Sequence, residues 1–94
     1  MNVGEFQVLG IRKAVAKNGR NTATLFLTSP FEEWEVIGSE SCEGFKTSAE
    51  FMYDPEKILP LDLKVNDVVT LAYRKSFSNT AVLSGVTIVK KAGK

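Results

Sequence analysis

Arg12, Lys13, Lys17 and Arg20 are the only charged residues between Glu5 and Glu32, and Arg74, Lys75, Lys90, Lys91 and Lys94 are the only ones after Asp67. Cations with no carboxylate among them are what a protein needs to follow a phosphate backbone, and single-stranded nucleic acid asks in addition for exposed rings on which bases stack. Phe26 follows the first basic group, and Tyr73 and Phe77 bracket Arg74 and Lys75 in the second. Trp34 stands in the acidic middle, where Glu32, Glu33, Glu35, Glu40 and Glu43 crowd together. The candidate nucleic-acid contacts are therefore Arg12, Lys13, Lys17, Arg20, Phe26, Trp34, Tyr73, Arg74, Lys75 and Phe77. Each has a plainer reading. Basic residues on strand ends also discourage edge-to-edge pairing, and Phe26 can instead cover a neighbouring loop or a second subunit. Phe31 and Trp34 can anchor the loop that carries them.

Most catalytic chemistry is closed to this composition. There is no histidine and a single cysteine, Cys42, so neither a Ser-His-Asp nor a Cys-His arrangement can be assembled. Cys and His ligands are too few for a zinc site, and no glycine-rich phosphate loop is present. Glu32, Glu33 and Glu35 offer carboxylates for a hard cation or for acid/base work. On a strand only Glu33 and Glu35 would share a face, and a solvated acidic loop is the favoured reading. The chain reads as a non-enzyme with no cofactor and no metal.

The elements that position these residues have a period of two, which marks a mostly β chain. The first segment, Val3 to Lys17, has Phe6 and Val8 on one face and then changes parity to Ile11 and Val15 across Gly10, the signature of a bulge. Asn18-Gly19 supplies a tight hairpin turn. The return strand, Thr22 to Thr28, points Ala23, Leu25 and Leu27 inward and Thr22, Thr24, Phe26 and Thr28 outward. Phe31 to Ser41 fits either a short strand or an ordered loop. From Cys42 to Tyr53 alternation puts Phe45, Ala49, Phe51 and Tyr53 on one face, with Phe45 and Phe51 expected in the core. Asp54-Pro55 opens a helical turn that Pro60 stops. Asn66-Asp67 turns the chain into a fourth strand with Val69, Leu71 and Tyr73 inward. Ser78-Asn79 marks a last hairpin, and Thr80 to Lys91 a final strand interrupted at Gly85.

This β-β-β-α-β-β order predicts an all-β fold, a small five-stranded OB-type barrel with one short helical turn between strands 3 and 4. An SH3-like barrel and a small β-sandwich are the alternatives. Ninety-four residues make one domain, with 44% apolar and 24% charged residues and a net charge of +1. No apolar run reaches the roughly 20 residues that span a bilayer, the first ten residues lack the regions of a signal peptide, and one cysteine suits a reducing compartment. A cytoplasmic protein without a membrane partner is expected. In an OB-fold the loops joining strands 1 to 2 and 4 to 5 flank the nucleic-acid groove, and those are the two acid-free segments here.

The run LPLDLKVNDVVTLAYRKSFSNTAVLSGVTIV, Leu59 to Val89, resembles the closing part of filamentous-phage-type single-stranded DNA-binding proteins, with related forms in phages and mobile elements of Gram-positive bacteria. Leu63-Lys64-Val65-Asn66-Asp67 matches their turn with Asn in place of Gly, and Tyr73-Arg74-Lys75 stands where an aromatic followed by basic residues is expected. TATLFLTSP and SCEGFKTSAEFMYDP are similar in spacing. The acidic stretch from Glu32 to Glu43 and the longer last hairpin depart from that pattern. The resemblance implies an OB-fold homodimer that coats single-stranded DNA, with little sequence preference, in phage or mobile-element replication. A β-barrel protein-interaction module and an RNA-binding barrel are the other readings.

Overall fold

The computed structural model describes residues 4–92, so the beginning of the first segment at Val3 and the terminal Lys94 lie outside the described residues. Five antiparallel strands form a single sheet: β1 (Phe6–Val15), β2 (Asn21–Ser29), β3 (Lys46–Tyr53), β4 (Val68–Lys75) and β5 (Ala81–Lys90), in the order β3-β2-β1-β4-β5. A turn of 3-10 helix at Pro55–Lys57 links β3 towards β4. This is the expected OB-type arrangement with β1 at its centre. The sheet curls far enough for the Tyr73 hydroxyl of β4 to donate to Glu50 Oε2 of β3 at 3.0 Å, yet β3 and β5 share no ladder. The barrel is rolled but not sealed.

Local sequence accounts for the bends. The β1–β2 register shifts between Val8 and Gly10, leaving Leu9 as an extra residue, and this is the parity switch that the sequence carries at Gly10. Both hairpins turn the same way. Ala16 N–H donates to Arg20 O and Gly19 N–H to Ala16 O, while Ser76 N–H donates to Thr80 O and Asn79 N–H to Ser76 O. Gly19 (φ 85°) and Asn79 (φ 63°) occupy the left-handed position that closes each loop. A second shift at Ala72/Tyr73, opposite Gly85, leaves Ser84 unpaired in the ladder, and its hydroxyl donates to Ala72 O at 3.2 Å.

The core is small: Val8, Ala23, Leu25, Leu27, Met52, Val69, Leu83 and Val86 are buried, with Phe6, Ile11, Ile58, Leu59, Leu63, Leu71 and Ile88 packed around them. Its polar anchor is Asp67. That buried carboxylate accepts from Lys64 N–H, Ala92 N–H and Lys91 Nζ at 2.8–2.9 Å. These donors favour the charged form and hold its pKa down at about 2. Asn66, at φ 77°, supplies the left-handed residue of the same turn, and Asn66 N–H donates to Val8 O while Val8 N–H donates to Asp67 O. The Lys64-to-Asp67 turn thus fastens the start of β4 and the end of β5 to β1.

Two readings are corrected. The acidic stretch is neither strand nor loop alone but contains a short helix, α1 (Glu33–Ile37). A capping box decides it: the Glu32 side chain caps the N3 backbone, and the Glu35 side chain reaches back to Glu32 N–H at 2.9 Å. Glu35 also takes Lys46 Nζ at 2.7 Å, and these hydrogen bonds lower its pKa. The second correction concerns β3. Its buried residue is Met52, 3% exposed, whereas Phe45 and Phe51, expected in the core, are 62% and 56% exposed. Cross-strand pairing fixes this, because Met52 lies opposite Ala23 and Glu50 opposite Leu25, so Phe51 and Tyr53 share the outer face with Thr24 and Thr22.

Candidate nucleic-acid interface

The outer face of β1, β2 and β3 is read row by row from the register. Gly10, Phe26 and Ala49 form one row, Arg12, Thr24 and Phe51 the next, and Ala14, Thr22 and Tyr53 the last before the first hairpin loop, where Thr22, expected outward, is instead buried, its hydroxyl donating to Ala14 O at 3.2 Å. Phe26 lies over Gly10, where a Cβ would meet Phe26 Cδ2 at 3.7 Å, an ordinary van der Waals contact. Phe51 and Tyr53 meet edge to face, with centroids 5.2 Å apart and planes at 86°. Alternation along β3 turns both rings to the surface, and Met52 between them carries the packing.

Arg20 comes from the first hairpin and lies against this cluster. Its guanidinium carbon is 4.4 Å from the Tyr53 ring centre, and Nη2 donates to Asp54 Oδ2 at 2.7 Å. The hydrogen-bonded pair raises the Arg20 pKa and lowers that of Asp54. Asp54 adopts φ 51°, and its carboxylate is given to Arg20 rather than to capping the 3-10 turn behind it.

Beside these rings runs a groove of about 540 Å³, lined by Phe51, Met52, Tyr53 and Asp54 on one side and Arg74, Val82, Leu83 and Ser84 on the other. Arg20, Lys57 and Ile58 complete it. The groove occupies the space between β3 and β5 that no ladder fills. Here the two acid-free segments meet, since Arg20 belongs to the first and Arg74 to the second. Arg74 has no carboxylate partner among the described residues. Tyr73 has the inward parity of Val69 and Leu71 but sits at the barrel rim, 49% exposed. Burial and its bond to the Glu50 carboxylate push its phenol up to about 12.

Not every candidate joins the groove. Arg12 stands on the outer face one row from Phe26 and level with Phe51, and Lys17 is in the exposed turn. Lys75 ends β4, and Phe77 is fully exposed at the hairpin tip. Lys13 has the opposite parity and lines a separate, mostly apolar cleft of about 470 Å³ with Ile11, Val15, Thr22, Leu59, Leu61 and Leu63. Trp34 is on α1 beside a hollow formed with Phe31, Gly38, Ser39 and the half-buried Cys42. Lys13 and Trp34 are therefore not part of one site with Arg20 and Arg74.

Phe51, Tyr53 and Lys57 line the groove without having been singled out in the sequence. The missing signal was register: Phe51-Met52-Tyr53 is apolar throughout, and only pairing with Ala23 and Leu25 shows which parity is outside. Among the described residues no three His, Cys, Asp or Glu side chains gather to hold a metal ion, and no helix is long and apolar enough to cross a membrane. Comparison of the chain with protein-family models, curated proteins and solved structures finds no match.

Proposed function

We propose that this protein binds single-stranded DNA along the outer face of β2–β3 and the adjoining groove, without catalysis and with little sequence preference. The observation that carries the reading is the convergence of Arg20, Lys57 and Arg74 around a groove walled by Phe51 and Tyr53. In OB-folds the strand 2–3 face and the loops between strands 1–2 and 4–5 take oligonucleotides. Cations at the groove rim follow the phosphates, while Phe26, Phe51 and Tyr53 present ring faces to bases of any identity. Ring faces and rim cations engage bases of any identity, which suits a coating role in phage or mobile-element replication, as the resemblance to filamentous-phage-type binders implies.

Fluorescent oligo-dT titrated at several salt concentrations tests this. Each phosphate contact on a single strand contributes about −0.7 to the log–log salt slope, so Arg12, Arg20, Lys57 and Arg74 together give roughly −2 to −3. Absence of binding at about 50 mM salt refutes the proposal, and equal affinity for duplex reduces the groove to a general polyanion surface. Stronger binding to oligo-U than to oligo-dT reassigns the natural ligand to RNA.

A further inference from the structure

The tip of the β4–β5 hairpin carries a group that the groove does not use. Ser76 Oγ, Ser78 Oγ and Thr80 Oγ1 form a closed triangle, with sides of 2.9 Å (Ser76–Ser78), 2.9 Å (Ser76–Thr80) and 3.0 Å (Ser78–Thr80). Each hydroxyl has one proton, so three protons serve three sides and each group donates once and accepts once. Ser and Thr in turns ordinarily bond to the backbone. These bond only to one another among the described residues. The first hairpin is an internal control. Its turn has the same two backbone bonds, Ala16 N–H to Arg20 O and Gly19 N–H to Ala16 O, matching Ser76 N–H to Thr80 O and Asn79 N–H to Ser76 O. Ala16, Asn18 and Arg20 hold the places of Ser76, Ser78 and Thr80, and Asn18 Oδ1 accepts Arg20 N–H at 3.0 Å. The turn does not need the triangle.

Register pairs Arg74 with Val82 and Lys75 with Ala81, so Ser76 and Thr80 are the next row on the face of Arg74 and Val82, both of which line the groove. Two residues along a strand cover about 7 Å, within the span of an arginine side chain. Arg74 has no carboxylate partner among the described residues, and no Asp or Glu follows Asp67 in the chain. Hydroxyl donors beside a cation, with no carboxylate among them, suit an oxyanion. The number of donors narrows the choice. A phosphodiester has two unesterified oxygens, whereas a phosphate monoester has three and carries about −1.5 to −2 charge at pH 7. We infer that the Ser76–Ser78–Thr80 triangle binds the terminal phosphate monoester of a nucleic-acid strand, with Arg74 as its neighbouring cation. On binding, the three protons turn from the ring to the three oxygens, one each. Neutral hydrogen bonds are thereby exchanged for charge-assisted ones roughly twice as strong. That the strand then runs into the groove rests on the proposed function, whereas the oxyanion site at the tip does not.

Oligo-dT of about six nucleotides, titrated with a 5′-phosphate, with a 3′-phosphate and with neither, tests this. At least one phosphorylated form should bind about 5-fold or more tightly than the unphosphorylated one, and the form that does so assigns the strand end. Added charge alone also favours phosphorylated forms, so a variant decides. Ser76→Ala with Ser78→Asn gives this hairpin the residues that make the first turn, which preserves the fold. It should keep the affinity for unphosphorylated oligo-dT and lose the preference. Should it not fold, Thr80→Val opens the triangle and is read the same way. A smaller preference in the wild type, or one that the folded variant retains, overturns the inference. Weaker binding of unphosphorylated oligo-dT by the variant also overturns it, by assigning the hydroxyls to a phosphodiester. If no form binds, the proposed function falls and amide shifts on adding thymidine 5′-monophosphate judge the tip. Shifts at Ser76, Ser78 and Thr80 that are absent with thymidine and absent in the variant uphold the site; any other pattern overturns it.

Discussion

Phe51 and Met52 are neighbours on β3 with opposite assignments, and replacing each by Ala separates binding from stability. Met52 is 3% exposed among Ala23 and its core partners. Truncating a side chain so placed costs about 2–5 kcal/mol, a loss of about 10 °C or more in Tm for a domain of this size. Phe51 is 56% exposed. Full burial of a Phe contributes about 1.5–3 kcal/mol, so the covered portion amounts to roughly 1 kcal/mol, with about 0.5–1 more from its edge contact with Tyr53. Phe51→Ala should therefore keep the fold with a modest fall in Tm. Its effect on oligo-dT should be larger: loss of one stacked base is about 1–3 kcal/mol, or roughly 5- to 150-fold in Kd. The salt slope should not move, because the ring carries no charge. Thermal melts and titrations on the two variants in parallel form the assay. Phe51→Ala that melts as early as Met52→Ala refutes the outward parity of β3; Phe51→Ala with unchanged Kd and a normal melt refutes stacking at that ring.

Arg74→Ala should weaken oligo-dT binding and flatten the salt slope by roughly 0.7, with an unchanged melt; an unchanged slope removes this residue from the phosphate path. Phe26→Ala should keep the fold and lose about 1–3 kcal/mol of binding if its ring stacks; full affinity with a lower Tm would assign the ring to covering Gly10 instead. Asp54→Asn releases Arg20 from its carboxylate and should tighten oligo-dT binding at low salt with a steeper slope, and weaker binding would show that Asp54 holds Arg20 in its productive place. Asp67 has a folded pKa of about 2, below its ordinary 3.8, so the unfolded chain takes up more protons there. Its contribution is complete above roughly pH 5 and fades as pH falls through about 4 towards 2, and in Asp67→Asn, already less stable at about pH 7, that acid-side fall in Tm should be shallower.

The strand plan was legible because the first and last hairpins contain strong local signals. Asn18-Gly19 and Ser78-Asn79 fix the turns, and the parity switch at Gly10 shows in the spacing of apolar residues alone. The inward set of β2 follows from Ala23, Leu25 and Leu27, all of which are buried. What the sequence hid depends on contacts distant along the chain. The outer face of β3 is set by pairing with β2. The helix α1 is set by a reciprocal cap between two glutamates within a run that otherwise alternates like a strand. Of the site, the cations Arg20 and Arg74 were legible through the absence of acids around them. Phe51, Tyr53 and Lys57 were not, because they come from the acidic middle of the chain and reach the groove only when the sheet curls.

The open seam between β3 and β5 links these observations. Sealing it with a ladder would fill the groove in which Arg20 and Arg74 converge, and would add pairing to two strands that are now edges. An unsealed edge invites a strand from another chain, and inward-pointing charge on the edge strand is one defence. β3 has that defence: Glu50 has inward parity opposite Leu25, and Lys46 is held by Glu35 and Glu32 at the strand's start. A carboxylate facing a small apolar core also resists closure, because sealing would strip it of water, and the Tyr73 hydroxyl satisfies it at the rim instead. The Glu50–Tyr73 hydrogen bond thus joins β3 to β4 where no ladder does. The result is a slot lined by the rings of Phe51 and Tyr53, by Arg20, Lys57 and Arg74 and by the Asp54 carboxylate, with no strand in it.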